Sequence, residues 1–145
     1  WELRQDPRVK ILDRTNIRHL TGEMVGEEID LVVADLSFIS LSLVLPALAA
    51  VSRPNADYVL MVKPQFEVGR EKLGAGGVVR DPALRVSAIE EVAIAAAENG
   101  LGVVGITASR LPGPAGNVEY FLWLQSGGAP FSHEKALKAV AEGPK

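Results

Sequence analysis

Three ionisable residues stand at the ends of apolar segments of this chain. Asp35 closes the run Val-Val-Ala, Lys63 closes Leu-Met-Val, and Glu119 opens Tyr-Phe-Leu-Trp-Leu. In an open α/β sheet ligands bind at the carboxyl ends of the strands, so we expect Asp35 and Lys63 at one ligand-binding edge. A Lys in apolar surroundings can serve as a general base, because desolvation favours its neutral amine. Together the three residues predict a catalytic site.

Each of these residues also has an ordinary structural explanation. A Lys at a strand end can extend its ammonium into solvent, and an Asp there can cap the helix that follows. Glu119 adjoins a turn, where a charged residue is common. The functional interpretation depends on the three occurring together. It predicts that Asp35 contacts Lys63 and that Glu119 steadies the ammonium.

The composition limits the classes of protein to which this chain can belong. Its 145 residues suffice for one domain with its own core. It has no Cys and two His, which excludes disulfides and thiolate ligands and argues against zinc, so no metal is predicted. The longest apolar run, at 41–51, is too short to cross a bilayer, and no signal peptide is visible. These features predict a cytoplasmic protein.

The charge pattern bears on nucleic-acid binding. A net charge of −3 excludes a wholly basic nucleic-acid-binding domain. Positive charge is nevertheless concentrated in and beside a glycine-rich segment at 67–80. Four cationic residues of this region are the candidates for a local nucleic-acid-binding patch: Arg70, Lys72, Arg80 and Arg85. The glycines at 73–79 do not directly follow a strand, so a mobile surface loop is favoured over a phosphate cradle.

Apolar segments alternate with helical patterns along the chain. The predicted strands are 9–12, 28–34, 57–62, 101–108 and 119–124, and the predicted helices are 40–51, 81–99 and 133–141. The long helix has an N-cap at Asp81, Pro82 in its first turn and a stop at Asn99-Gly100. Four of its apolar residues share one face: Ile89, Val92, Ala93 and Ala96. Alternation of this kind predicts an α/β fold with a parallel sheet.

The last two predicted strands must run antiparallel. About ten residues rich in Pro and Gly separate Ala108 from Glu119, whereas a parallel connection needs about a dozen or more. A mostly parallel sheet whose last strand is antiparallel is typical of the Rossmann-like methyltransferase fold. The strand, glycine-rich turn and helix that open a nucleotide-binding sheet are missing here. We therefore predict a truncated version of that fold over residues 1–145.

Four segments carry a family resemblance: DLVVADLSFISL at 30–41, VKPQFEVG at 62–69, GGVVRD at 76–81 and GNVEYFL at 116–122. In combination they resemble the C-terminal part of the hemolysin A (TlyA) family, ribosomal-RNA 2′-O-methyltransferases with an FtsJ-like fold. The resemblance runs from Trp1 to about Gln125 and implies a Lys-Asp-Lys-Glu tetrad. Asp35, Lys63 and Glu119 match its last three members. The first Lys, the glycine-rich cofactor loop and an S4-like RNA-binding domain are expected upstream of Trp1.

The resemblance implies S-adenosylmethionine as cofactor and a ribose 2′-hydroxyl as methyl acceptor. Lys63 would take the hydroxyl proton, and Asp35 and Glu119 would orient the Lys63 side chain. No metal is required. Phe38 and Phe66 follow the two strand ends, where their rings could stack on a base or on adenine. The residues assigned to the cofactor are Asn16 for the adenine and Asp35, Leu36, Ser37 and Phe38 for the methionine side.

Two other interpretations remain open. The chain could be an incomplete fragment that only binds RNA or a partner domain, while a membrane-active haemolysin is disfavoured because there is no span and no long basic amphipathic helix. Ribosomal RNA or a ribosomal subunit is the partner that the resemblance implies. We also expect the fragment to self-associate and to bind the cofactor poorly, because the strand at 28–34 would expose a hydrophobic edge.

Overall fold

The computed structural model describes residues 2–145. Its α-helices are α1 (Glu2–Gln5), α2 (Gly22–Val25), α3 (Leu41–Ala50), α4 (Pro82–Glu98) and α5 (His133–Glu142). Its strands are β1 (Ile29–Ala34), β2 (Ser52–Val62), β3 (Leu101–Ala108) and β4 (Tyr120–Ser126). Short 3₁₀ helices span Ile17–His19, Pro64–Phe66, Arg70–Lys72 and Ala75–Gly77. The predicted α/β alternation is confirmed from residue 28 onward.

The four strands form one sheet in the order β1-β2-β4-β3. β1 pairs with β2 in parallel, and α3 makes the crossover between them. β4 lies between β2 and β3 and runs antiparallel to both. β1, β2 and β3 therefore share one direction and the last strand opposes them, which confirms the predicted sheet.

The predicted strand at 9–12 is wrong. These residues have no regular structure, and Ile11 and Leu12 are exposed. A run of four residues is too short for periodicity to identify a strand, and no strand of the described chain pairs with this one. β2 also begins earlier than predicted, at Ser52 and not at Asp57, across a register irregularity in its pairing with β1.

The two long helices on the sheet have side-chain caps at their first turns and apolar residues on the face that is buried. Ser40 caps α3 through a bond from the Ser42 amide, and Asp81 caps α4 by accepting from the Ala83 amide at 2.9 Å. The apolar face predicted for α4 is buried along its length. Together with α3 it packs on one face of the sheet, against buried β2 residues such as Leu60.

The opposite face of the sheet lacks a helical cover in residues 2–145. The strand register places Val33, Val59 and Trp123 side by side on this face. Its apolar side chains, which we call the open face, are Leu31, Val33, Val59, Met61, Phe121 and Trp123. Leu31 and Val33 are exposed and belong to β1, which is an outer strand of the sheet.

Within residues 2–145, none of the helices is both long enough and apolar enough to span a bilayer.

Candidate active site at the strand ends

Lys63 and Asp35 meet at the carboxyl ends of two parallel neighbouring strands. Asp35 follows β1 and Lys63 follows β2. The Lys63 Nζ lies 2.5 Å from Asp35 Oδ1 and donates to Ser37 Oγ at 3.2 Å. The Lys63 side chain is 10% exposed and that of Asp35 is 70% exposed. The predicted contact between the two residues is therefore present, with the amine inside and the carboxylate at the rim.

The chain turns immediately after Lys63. Pro64 opens a 3₁₀ helix that ends at Phe66, and Lys63 itself is held in an extended conformation. A buried ammonium is costly unless it is paired and hydrogen-bonded. Asp35 and Ser37 provide that compensation, and an ammonium with three donors keeps one N–H beyond these two contacts.

Glu119 reaches the site from β4. Val62 is paired with Tyr120, so one further step of the same antiparallel register sets Lys63 opposite Glu119. Glu119 is 6% exposed, and its Oε2 accepts a hydrogen bond from Gln65 Nε2 at 3.0 Å. Among the described residues, the acid within ion-pair distance of Lys63 is Asp35. The predicted direct contact between Glu119 and the ammonium is thus replaced by a contact with Gln65.

Two loops, 35–40 after β1 and 63–68 after β2, form the site and are called the strand-end loops. Glu67 joins them, because its carboxylate accepts from Ser40 Oγ at 2.5 Å and from the Leu41 amide at 2.9 Å. Leu41 is the first residue of α3, and a helix N-terminus favours a negative charge. The Phe38 and Phe66 rings add a second link, with centroids 4.9 Å apart and planes inclined by 52°. The loops therefore behave as one unit.

Burial raises the pKa of Glu67 above its ordinary value. The hydrogen bonds from Ser40 and Leu41 act in the opposite direction and are the smaller effect, while the charge of Glu91 adds to the increase. The folded state consequently holds the Glu67 proton more tightly than the unfolded state does.

Phe38 has an unusual backbone and an unusual exposure. Its φ is +64°, in the left-handed region that bulky residues rarely adopt. The residue is 89% exposed, and its ring contacts that of Phe66. Strained, exposed residues of this kind cluster at ligand-binding sites. Phe38 was predicted from its place after β1; the strain is a feature that only the structure shows.

Asn117 was missed by the sequence reasoning. It is buried, its Oδ1 accepts from the Val79 amide at 2.9 Å, and its Nδ2 donates to the Gly77 carbonyl at 3.0 Å. The carboxyl end of the glycine-rich segment is thereby attached to the residues that precede β4. The signal was the Gly-Asn-x-Glu spacing, which places a second polar residue next to Glu119.

The predicted RNA-contacting residues divide into two groups. Arg70, Lys72 and Arg80 are exposed, and Arg80 also donates to the Ala75 carbonyl at 3.1 Å. Arg85 is a wrong prediction, because it is 5% exposed and its Nε donates to the Val79 carbonyl at 3.1 Å. Its position four residues before Ile89 puts it on the buried face of α4, which the helical spacing could have revealed.

The predicted cofactor residues lie in two places. Asp35, Leu36, Ser37 and Phe38 follow one another in the first strand-end loop, with Leu36 half-buried. Asn16 is exposed on the separate N-terminal segment and caps a 3₁₀ helix by accepting from the Arg18 amide at 3.0 Å. That 3₁₀ helix packs on α3, the helix that follows the first strand-end loop, and this packing links Asn16 to the site.

Comparison with known proteins shows the family to which the chain belongs. Residues 1–126 match the FtsJ-like methyltransferase family. The chain belongs to this family. It is 54% identical to the 16S/23S rRNA (cytidine-2′-O)-methyltransferase TlyA of Mycobacterium tuberculosis, over 99% of this chain and 56% of that protein. It is 32% identical to Hemolysin A of Brachyspira hyodysenteriae, over 83% of this chain and 50% of that protein.

A solved structure shows the same FtsJ-like architecture. A protein from Streptococcus thermophilus that carries the hemolysin name superposes with a TM-score of 0.90 at 34% identity. The match covers 98% of this chain and 52% of that protein. This chain thus spans about half the length of the relatives that it matches.

The raised pKa of Glu67 predicts a pH dependence of stability. The stabilisation that results from the raised pKa of Glu67 is fully present below the ordinary glutamate pKa of 4.5. It is lost as the pH rises through the higher folded-state pKa. Glu67→Gln keeps an oxygen that can accept from the Leu41 amide but does not titrate. We expect the unfolding free energy of the variant, relative to the original protein, to increase between about pH 5 and about pH 8.

Urea unfolding at the two pH values measures this effect. The exposed Glu71 provides the control, because Glu71→Gln should leave the pH dependence of the original protein unchanged. Identical pH dependence in Glu67→Gln and the original protein would show that Glu67 is not the responsible group.

Proposed function

We propose that this chain is the catalytic part of an S-adenosylmethionine-dependent enzyme that methylates a ribose 2′-hydroxyl of ribosomal RNA. The observation that carries the proposal is the buried Lys63, paired with Asp35 at the strand ends and opposite Glu119. The identity of 54% with an rRNA (cytidine-2′-O)-methyltransferase supports the choice of substrate. The chemistry of the site supports it independently.

A ribose hydroxyl needs a base because it is a weak nucleophile. The Lys63 amine, after it has lost its own proton to solvent, accepts the hydroxyl proton while the hydroxyl oxygen attacks the methyl carbon. The methyl donor would leave as a neutral thioether, because this attack would break its carbon–sulfur bond. The Asp35 carboxylate, which contacts Lys63, holds the amine in place and balances the charge that it acquires. The reaction therefore needs no metal ion.

S-adenosylmethionine, when bound, supplies the methyl group on a positively charged sulfur. The exposed carboxylate of Asp35 favours a cation at this edge of the sheet. We assign Leu36, Ser37 and Phe38 to the methionine side, because they continue from Asp35 along the first strand-end loop. Asn16 is assigned to the adenine from the N-terminal segment that packs on α3.

The Phe38 and Phe66 pair supports recognition of a nucleobase. Phe38 is exposed to solvent beside the strand ends, and its ring packs against that of Phe66. Stacking of a base on an aromatic ring contributes about 1–3 kcal/mol. The same ring could serve the target base or the cofactor adenine, both of which have a flat face. The left-handed φ of Phe38 keeps the ring directed outward at some cost in strain.

The full-length protein is proposed to supply what these residues lack. The relatives are about twice as long, and we place the first Lys of the tetrad, a glycine-rich cofactor loop and an S4-like RNA-binding domain in the rest of the protein. We further propose that the enzyme meets ribosomal RNA in the cytoplasm. A chain that only binds RNA or a partner domain is the alternative, and the open face favours it for residues 1–145 taken alone.

Lys63→Ala in the full-length protein tests the proposed function. We expect methyl transfer to fall by about 10²–10⁴-fold, the usual contribution of a general base. Cofactor affinity should stay within about twofold, because Lys63 acts on the acceptor hydroxyl. Transfer from labelled S-adenosylmethionine to ribosomal RNA and calorimetric titration of the cofactor measure the two quantities. A loss below about threefold would remove Lys63 as the base.

Replacing Arg70, Lys72 and Arg80 together by Ala tests the RNA interaction. Each cation bound to a phosphate releases counterions, so we expect weaker RNA binding and a flatter dependence of log K on log salt, by about one unit for each cation that binds a phosphate. Filter binding of ribosomal RNA to the full-length protein at several salt concentrations measures the slope. The exposed Lys10, outside this region, provides a control as Lys10→Ala. An unchanged slope in the triple variant would exclude this loop from the RNA-binding surface.

The open face predicts that residues 1–145 alone self-associate and bind S-adenosylmethionine poorly. Exposed apolar side chains on an outer strand recruit further strands. Leu31→Thr with Val33→Thr should shift sedimentation toward monomer, whereas Leu137→Thr, at an exposed apolar position of α5, should not. A monomer at every concentration, together with micromolar cofactor affinity by calorimetry, would contradict this expectation.

A further inference from the structure

Gln65 contacts the active-site acid that does not reach Lys63. It lies in the 3₁₀ helix directly after Lys63 and Pro64, and its Nε2 donates to Glu119 Oε2 at 3.0 Å. Within the described chain it is the side chain that donates to this carboxylate. Glu119 is buried, and a buried polar group is costly unless it is hydrogen-bonded.

The other end of the Gln65 amide is left without a partner. Its Oε1 is one of two buried side-chain atoms in residues 2–145 that lack a hydrogen-bond partner. A buried acceptor without a donor is destabilising. Rotating the amide by half a turn would direct Oε1 at the Glu119 carboxylate and place two acceptors together. The contact with Glu119 therefore sets the amide orientation, at a cost to stability.

The Glu119 carboxylate is also confined from the opposite loop. A Cβ at Gly113 would lie 2.9 Å from Glu119 Oε2 and 3.2 Å from its carboxyl carbon. The Gly113 amide donates to the Asn117 carbonyl at 2.8 Å, which holds this loop against the start of β4. Glu119 thus has little room on the loop side, and Gln65 determines its position on the other.

We propose that Gln65 is a positioning residue of the methyl-transfer reaction, a role that rests on the proposed function. The strand register sets Glu119 opposite Lys63, yet the carboxylate is turned to Gln65 and the ammonium to Asp35. Gln65 keeps Glu119 from forming a second ion pair with Lys63. A Lys with two carboxylate partners would hold its proton more strongly and would be a poorer acceptor for the hydroxyl proton.

The test compares pH–rate profiles of the full-length protein and three variants. In Gln65→Leu, Glu119 is free to pair with Lys63, so we expect kcat at neutral pH to fall about tenfold or more and the acidic limb of the profile to move to higher pH. KM for S-adenosylmethionine should stay within about twofold. In the double variant Gln65→Leu with Glu119→Gln, the acidic limb should return to its position in the unsubstituted protein, because the second carboxylate has been removed.

Gln125→Leu is the matched control. Gln125 also donates its amide to a carboxylate, that of Asp57, at 2.5 Å, but on the sheet away from the strand ends. We expect its pH–rate profile to match that of the original protein. Thermal unfolding identifies variants that fail to fold, and Gln65→Met replaces Gln65→Leu in that case.

The outcomes separate this inference from the proposed function. If the unsubstituted protein methylates RNA and Gln65→Leu shows the same kcat and the same acidic limb, the role of Gln65 is overturned and the proposed function is not. A shift of the limb in the Gln125 control as large as that in Gln65→Leu overturns it as well. If the unsubstituted protein transfers no methyl group to RNA, the proposed function is overturned, and so is the role of Gln65, which depends on it.

Discussion

A cationic amine buried at the end of an apolar strand is the constraint on which the site depends. The charge of Lys63 requires nearby partners, because an isolated ion in a low-dielectric interior is strongly disfavoured. Asp35 and Ser37 meet this need only because β1 and β2 are parallel neighbours whose ends lie side by side. The exposed rim position of Asp35 keeps part of the pair in contact with solvent.

The rest of the fold keeps these strand ends together. Glu67 attaches the second strand-end loop to the N-terminus of α3, so the helix that crosses between β1 and β2 also aligns their loops. On the other side, β4 enters the sheet next to β2 and delivers Glu119 opposite Lys63. Asn117 attaches the glycine-rich segment to the same point. The hydrogen bonds of Glu67 and Asn117 thus join the loops that lie at the strand ends.

The sequence predicted the residues at the strand ends better than their partners. Asp35 and Lys63 each end an apolar run, a local pattern, and short connection length was enough to predict that β3 and β4 are antiparallel. The bond between Gln65 and Glu119 depends on β4 lying beside β2, a strand order that local patterns do not contain. Residues 9–12 form no strand because none of the four strands pairs with them. Arg85 is buried because it lies one helical turn before Ile89, on the face of α4 that packs in the core.

We propose that the strand-end site of the full-length protein methylates a ribose hydroxyl and not a base. Ribosomal RNA incubated with the full-length protein and labelled S-adenosylmethionine can be hydrolysed with alkali, which needs a free 2′-hydroxyl to cleave the chain. We predict that the label remains in an alkali-resistant dinucleotide. Label released in single nucleotides by alkali would place the methyl group on a base and would contradict the claim.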